Sequence, residues 1–288
     1  MSLLRVAVPN KGSLSAAAVD LLHEAGYRVR RSSRELSLVD PDNGVEFFFQ
    51  RPRDCAVYVG RGALDVGITG QDLLVDASAS VREVLRLGFA RSQFRFAAAE
   101  DARWSDVTDL AGLRIATSFP VLARKHLADN GVSAELVTLE GAVENAVALG
   151  LADVIADVVE TGTSLRNAGL LAFGAPLMDS EAVLVVSSVH ELPPGKAKIA
   201  EVLRRRLQGV LDAHKLVMLD YDCPEEKVSQ ASRITPGQEG PTISGLDKPG
   251  WVAMRALVER ADVQRIMDEL TEIGATAILA TRLEACRI

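Results

Sequence analysis

The segment Ala152–Leu165, ADVIADVVETGTSL, carries the residues best equipped for chemistry in this 288-residue chain. Val154, Ile155, Val158 and Val159 mark a buried strand, yet Asp157 interrupts it and Glu160 follows at its end. Thr161, Gly162, Thr163 and Ser164 then supply three hydroxyls and one residue that permits close backbone approach, just ahead of the helix-like run LRNAGL. A helix starting there points unpaired amides outward, so the turn suits a phosphate dianion. Carboxylates beside a phosphate repel it unless they hold a sugar hydroxyl, a Mg2+ ion or a developing cation. A ligand carrying phosphate and sugar together satisfies every part. The same residues also fit a plain helix cap at Thr161 or Thr163, with Glu160 a solvated first-turn acid. The local sequence leaves both open.

The elements that position this turn read as an alternation of strands and helices. LRVAVP is a buried strand, followed by a Gly-Ser turn and the helix SLSAAAVDLLHEAGY, whose apolar residues recur at three and four and which stops at Gly26. LSLVD, VEFFFQ, a helical RPRDCAVYVGRG, the strand LDVGITG and the helix opening QDLL continue the pattern. A second module begins near Phe94. FRFAAAE and LRIATS are strands, PVLARKHLADNG a helix closed by Gly131, AELVTL a strand, GAVENAVALG a helix, ADVIADVV a strand and SLRNAG a helix. EAVLVVSS is another strand, and AKIAEVLRRRLQGVLDAH a long amphipathic helix. The expected fold class is α/β, with two lobes around a cleft and the pocket at the carboxyl ends of the strands, where VPNKG, GITGQD, ATSFP and ETGTS fall. Lobe I should span 1–92, completed by about 183–213, and lobe II 93–182.

From His214 the grammar changes to KLVMLDYDC, PEEKVSQASRI, PTISGL, WVAMRALV, DVQRIMDELTEIGA and TAILATRLEACRI, a ferredoxin-like β-α-β-β-α-β order over 214–288. Two helices would cover one face of a four-stranded antiparallel sheet. A separate folding unit with little catalytic equipment, appended to a cleft protein, suggests regulation or assembly.

Composition limits the partners. The chain is 48% hydrophobic and 25% charged, with 32 Lys plus Arg against 39 Asp plus Glu, a net charge of −7. That balance argues against an electrostatically driven nucleic-acid binder but allows a local basic pocket for a small phosphorylated ligand. The apolar run before Pro9 is too short for a signal-peptide core and no stretch approaches a membrane span, so a cytoplasmic protein without membrane partners is expected. Cys55, Cys223 and Cys286 are odd in number and lack metal-ligand spacing, which predicts free thiols. His23, His126, His190 and His214 form no pair at helical or zinc spacing.

ETGTS after an acid-ended strand resembles the phosphoribosyl-diphosphate (PRPP) loop of phosphoribosyltransferases. Together with VAVPNKGSLS, YVGRGALDVGITGQDLL, RIATSFP, GAVENAVALGLADVIADVVETGTSL and MLDYDCP, in that order, the whole chain resembles the long form of the ATP phosphoribosyltransferase family, the first enzyme of histidine biosynthesis. The resemblance implies two lobes of periplasmic-binding-protein type plus a C-terminal ferredoxin-like regulatory domain. It implies attack by N1 of the adenine of ATP on C1 of PRPP, with inversion, release of diphosphate and a need for Mg2+. It also implies a homo-oligomer, a hexamer with a dimer also seen, and inhibition by histidine bound to the C-terminal domain. The metal ligands are not identified by it.

On the matching positions, the resemblance assigns the grip on the 5-phosphate of PRPP to Thr161, Gly162, Thr163 and Ser164, and the ribose hydroxyls to Asp157. Relatives often carry a small residue where Glu160 stands. Glu144 in GAVENA matches a family acid that contacts ribose or the metal-bound substrate; it also fits a solvent-facing helix acid. Lys11 in PNKG and Arg51 in QRPRD are the cations for diphosphate or triphosphate oxygens, with a simple surface charge the alternative for Arg51. Thr69, Gly70 and Asp72 match the strand-to-helix turn that lines the cleft, a role compatible with a helix cap. Phe119 and Val121 stand where relatives commonly show Tyr and Asn; Phe119 keeps a ring for adenine but loses a hydroxyl, and Val121 removes an amide donor. For histidine, the matching positions are Asp222, Thr242, Leu257 and Ala277, with Asp222 facing an ammonium or imidazole. Leu257 and Ala277 equally fit core packing. A cleft-type binding protein and a phosphoribosyltransferase for another base are the rival readings.

Overall fold

A computed structural model describes residues 2–30 and 35–288, which divide into two compact units, Met1–His23 with Tyr27–Arg204 and Glu24–Gly26 with Arg205–Ile288. The first unit opens with β1 (Leu4–Pro9), α1 (Ser13–Glu24), β2 (Ser37–Asp40), β3 (Val45–Gln50), α2 (Pro52–Gly60), β4 (Val66–Gly70), α3 (Gln71–Ala77) and β5 (Val81–Arg86). β1 pairs in parallel with β3, from Leu4 opposite Val45 to Pro9 opposite Gln50, and with β4 on its other side. A central parallel strand is covered on both faces, which is why LRVAVP is apolar almost throughout instead of alternating.

The chain then builds a second sheet from β6 (Ser92–Ala99), β7 (Arg114–Thr117), α4 (Pro120–Asp129), β8 (Glu135–Thr138), α5 (Asn145–Ala148), β9 (Val154–Val159), α6 (Thr163–Asn167) and β10 (Leu170–Ser180), in the order β10-β6-β9-β7-β8. It returns to the first sheet as β11 (Ala182–Ser187), completing the order β2-β3-β1-β4-β11-β5. Two α/β lobes joined by two crossings of the chain are the plan of periplasmic binding proteins, and the carboxyl ends of the parallel strands meet at the cleft.

Strand periodicity explains the acid in β9. Val154, Ala156 and Val158 pack with Phe94, Phe96, Ile115, Phe119 and Leu122 on one face, whereas Ile155 and Val159 pack with Ala97, Ala146 and Leu165 on the other. Successive strand residues point to opposite faces. Asp157 therefore shares the second face, between Ile155 and Val159.

α7 (Pro194–Lys215) contains the division between the units, at Arg204/Arg205. The second unit contains β12 (Leu216–Pro224), α8 (Val228–Ile234), β13 (Thr242–Gly245), β14 (Trp251–Glu259), α9 (Val263–Glu272) and β15 (Thr276–Arg282), with sheet order β13-β14-β12-β15. This is the ferredoxin-like arrangement. Val217, Leu219, Tyr221 and Cys223 alternate into the core under the helices, joined by Met254, Val258, Ile266 and Leu270. The buried Tyr221 hydroxyl meets Thr235 Oγ1 at 2.6 Å, which satisfies the polar end of a large core side chain. Asp220, Asp222, Ala253, Arg255 and Leu257, at the intervening positions, take the opposite face of the sheet.

The sequence reading missed two strands. β5 is charged at Arg82, Glu83 and Arg86, and β10 holds Gly174 and Pro176; both lie at sheet edges, where pairing on one side suffices. β10 absorbs the Gly-Ala-Pro interruption in a register shift between Phe173 and Met178. The helix expected over 141–150 is regular only over Asn145–Ala148, because Ala142, three residues before it, is turned to φ 49°. The last strand ends at Arg282; beyond it Cys286 donates its amide to the Gly209 carbonyl at 3.0 Å.

Candidate active site

A cleft of ≈ 570 Å³ lies between the two sheets of the first unit, within the roughly 300–1,000 Å³ usual for small-molecule sites. Of the residues singled out from the sequence, Lys11, Arg51, Gly70, Asp72, Phe119 and Glu160 line it. Lys11 is exposed on the loop after β1, and Arg51 is exposed at the N-cap of α2, whose first helical residue is Pro52. Pro tolerates that position because its missing amide would be unpaired there anyway.

The β4–α3 turn is built by burial. Thr69 is fully buried and its hydroxyl donates to the Pro52 carbonyl at 2.8 Å, so it fastens α2 to β4 from beneath the cleft. Asp72 receives the Ser180 hydroxyl at 2.9 Å and the Leu73 amide at 2.9 Å, while Ser180 accepts the Asp72 amide at 3.1 Å. Burial pushes the Asp72 carboxyl above its ordinary range, against the lowering effect of these bonds. Gly70 permits this geometry, since a Cβ there would lie 2.4 Å from Asp72 Oδ1.

Glu144, Asp157 and the turn 161–164 form a second group beside the cleft. The Asp157 carboxyl is pushed up to about 6, chiefly by burial and further by the charges of Glu144 and Asp72, with the Val158 amide at 2.8 Å opposing the shift. An acid held among other acids at a strand end is poised to accept from donor hydroxyls or to face positive charge. Gly162 adopts φ 71°, the left-handed region, as the N-cap of α6. The Thr161 and Thr163 hydroxyls stand 3.0 Å apart, and the Arg166 guanidinium donates to Thr163 Oγ1 at 3.2 Å. Thr161, Thr163 and Ser164 are exposed.

Four residues that the sequence reading passed over also belong here. Ser13 at the start of α1 donates its hydroxyl to Glu160 Oε1 at 2.6 Å, a contact from one lobe to the other. Arg53 bonds to Asp76 and to the Ser118 carbonyl, and Ser180 holds Asp72. Asp76 carried a legible signal, because an acid in the last turn of a helix opposes the helix dipole and calls for a tertiary partner. Phe119 is 9% exposed, with its ring 5.4 Å from that of Phe94, and so enters the cleft wall as part of the second lobe's core.

In the second unit, Asp222, Thr242 and Ala277 line a groove of ≈ 310 Å³ with Asp220 and Ser244. Leu257 lines a different groove, of ≈ 420 Å³, which Thr242 also borders. Ala277 is exposed at φ 49°, beside the register shift in the β12–β15 pairing. Among the described residues, no group of three or more His, Cys, Asp and Glu side chains could hold a metal ion, and no helix is long and apolar enough to cross a membrane.

Comparison with known proteins matches residues 51–209 to the family described as ATP phosphoribosyltransferase and residues 213–285 to that described as HisG, C-terminal domain. A protein of Streptomyces avermitilis named ATP phosphoribosyltransferase is 56% identical over 289 residues, covering 99% of this chain and 100% of its own. One of Kocuria rhizophila with the same name is 58% identical over 286 residues, with the same coverage. Among solved structures, the ATP phosphoribosyl transferase (HisG:HisZ) complex from Thermotoga maritima aligns with TM-score 0.63 and 26% identity, over 74% of this chain and 99% of that one. The structure of Tv2483 bound to L-arginine shares the fold at TM-score 0.50 and 11% identity, over 72% and 84% of the two chains. With both family models in sequence and relatives matched end to end, the chain belongs to the ATP phosphoribosyltransferase family.

Proposed function

We propose that the cleft transfers the 5-phosphoribosyl group of PRPP to N1 of the adenine of ATP and releases diphosphate, the first step of histidine biosynthesis. The observation that carries this reading is the convergence, in a family member, of Lys11, Arg51 and Arg53 with the Asp72 turn on one cleft, adjoined at Glu160 by the hydroxyl-bearing turn. The adenine N1 lone pair forms the new bond to C1 of ribose, and the electron pair of the breaking C1–O bond leaves with diphosphate. No protein nucleophile is required, because the positive charge that develops on the ribosyl group needs orientation and charge compensation.

In this reading, Thr161, Gly162, Thr163 and Ser164 hold the 5-phosphate, and the Asp157 carboxylate accepts from the ribose hydroxyls. Glu144 adds negative charge near C1. Lys11 and Arg51 neutralise diphosphate or triphosphate oxygens, and the Phe119 wall borders the adenine. Mg2+ belongs with the substrates: the described carboxylates do not make a three-donor cage, and this ion commonly keeps water and substrate phosphate oxygens as ligands. The pure protein with ATP, PRPP and Mg2+ should release diphosphate and form a ribosylated adenine. Ligand binding without turnover would favour a receptor, and turnover only with another base would favour a different phosphoribosyltransferase.

The second unit is proposed as the histidine site and as part of the contact between copies in a hexamer, with a dimer as the smaller assembly. Leu279 is 63% exposed on the sheet face that carries Asp222, which suits burial against another copy. Asp222→Asn removes the charge that would meet an ammonium or imidazole, so the histidine concentration for half-inhibition should rise about ten-fold while uninhibited turnover persists. Unchanged inhibition in that variant rejects the assignment.

A further inference from the structure

α4 starts without a cap of its own. Pro120 has no amide to offer, Phe119 at the N-cap has no side-chain acceptor, and the next two amides need one. Val121 and Leu122 donate instead to Asp76 Oδ1, at 2.8 and 3.1 Å. Asp76 belongs to α3 in the lobe of the first sheet, whereas α4 belongs to the lobe of the second. The cap is therefore supplied across the cleft's floor by the opposite lobe, from a carboxylate only 2% exposed.

Arg53 completes the arrangement. Its guanidinium pairs with the other oxygen of Asp76, donates to the Ser118 carbonyl at 2.8 Å, and stands 5.8 Å from the centroid of the Phe119 ring. Arg53, Ser118, Phe119 and Pro120 all line the cleft. One buried carboxylate and one guanidinium thus tie the wall at 118–122 to the lobe that carries Lys11 and Arg51. Displacing such a wall loosens its fit to the acceptor in ground and transition state alike, which raises KM more than it lowers kcat.

We propose that Asp76 and Arg53 are positioning residues for the nucleotide acceptor: capping α4 from the opposite lobe sets the distance between the Phe119 wall and the cationic rim. The proposal rests on the phosphoribosyl-transfer reading and places the PRPP loop outside its reach. Arg53→Lys keeps the charge but loses the planar guanidinium, whose Nη2 donates to both Asp76 and the Ser118 carbonyl and whose face stands over the Phe119 ring. Asp76→Asn keeps an oxygen for the α4 amides while weakening the tie to Arg53.

Each variant should raise KM for ATP about ten-fold, more than it lowers kcat, and leave KM for PRPP within about two-fold. The double variant should be no worse than the poorer single one, because both changes open the same tie. A purely structural role would lower the melting temperature and the active fraction without separating the two KM values. If the parent turns over both substrates and neither variant moves KM for ATP, or both KM values rise together, the proposal fails alone. If the parent shows no turnover, the transfer reading fails and the acceptor role falls with it.

Discussion

Asp157→Asn will make the protein more stable at neutral pH and a much poorer enzyme. The folded carboxyl sits at about 6 instead of its ordinary 3.8, so the folded state binds a proton more tightly than the unfolded chain does. A raised acid lowers stability as pH climbs from about 4 to about 6, and above that window the full cost of ionising Asp157 in place is present. A shift of this size corresponds to about 1–3 kcal/mol at pH 7, part of which the neutral amide recovers. Thermal melts should show a gain at pH 7.5 that fades toward pH 4; an equal change at both would show that ionisation is not its cause. Asparagine cannot supply the charge that accepts from ribose hydroxyls and faces the ribosyl cation. The loss of kcat/KM for PRPP should be on the order of 10²-fold. Parent-like kinetics would remove Asp157 from the site.

Thr161→Ala combined with Thr163→Ala tests the other half of the donor site. Each hydroxyl to a phosphate oxygen is a charge-assisted bond worth ~1–3 kcal/mol, so losing the pair should lower kcat/KM for PRPP by about 30- to 10⁴-fold. KM for ATP should stay near the parent value. Both side chains are exposed and bond to each other, and Thr163 also accepts from Arg166, so their removal leaves no buried polar group without a partner in the core. A folded double variant with unchanged PRPP kinetics would contradict the phosphate assignment. An equal loss for ATP and PRPP would point to a general change in the cleft.

The short apolar runs that identify β1, β4 and β9, the Pro starts of α2 and α4, and the β-α-β-β-α-β order of the tail are local properties, legible from apolar spacing and turn residues. β5 and β10 were illegible because edge strands tolerate charge, Gly and Pro, so nothing in VREVLR or LLAFGAPLMDS advertises a strand. The family resemblance places Thr69 in the turn that lines the cleft; its side chain instead fastens α2 from below, since whether a turn residue faces a ligand or the interior depends on what packs behind it.

By itself the sequence determined the α/β class, the two-lobed plan with its appended module, and the turn ETGTS that follows an acid-ended strand, because each of these is written in short-range periodicity and in residue types a few positions apart. Only the tertiary structure decided that Ser180 would hold Asp72, that Ser13 would reach Glu160, and that Asp76 would cap a helix of the other lobe. Those partners stand 108, 147 and 45 residues apart, and no local rule pairs a donor with an acceptor until the fold has brought the two together.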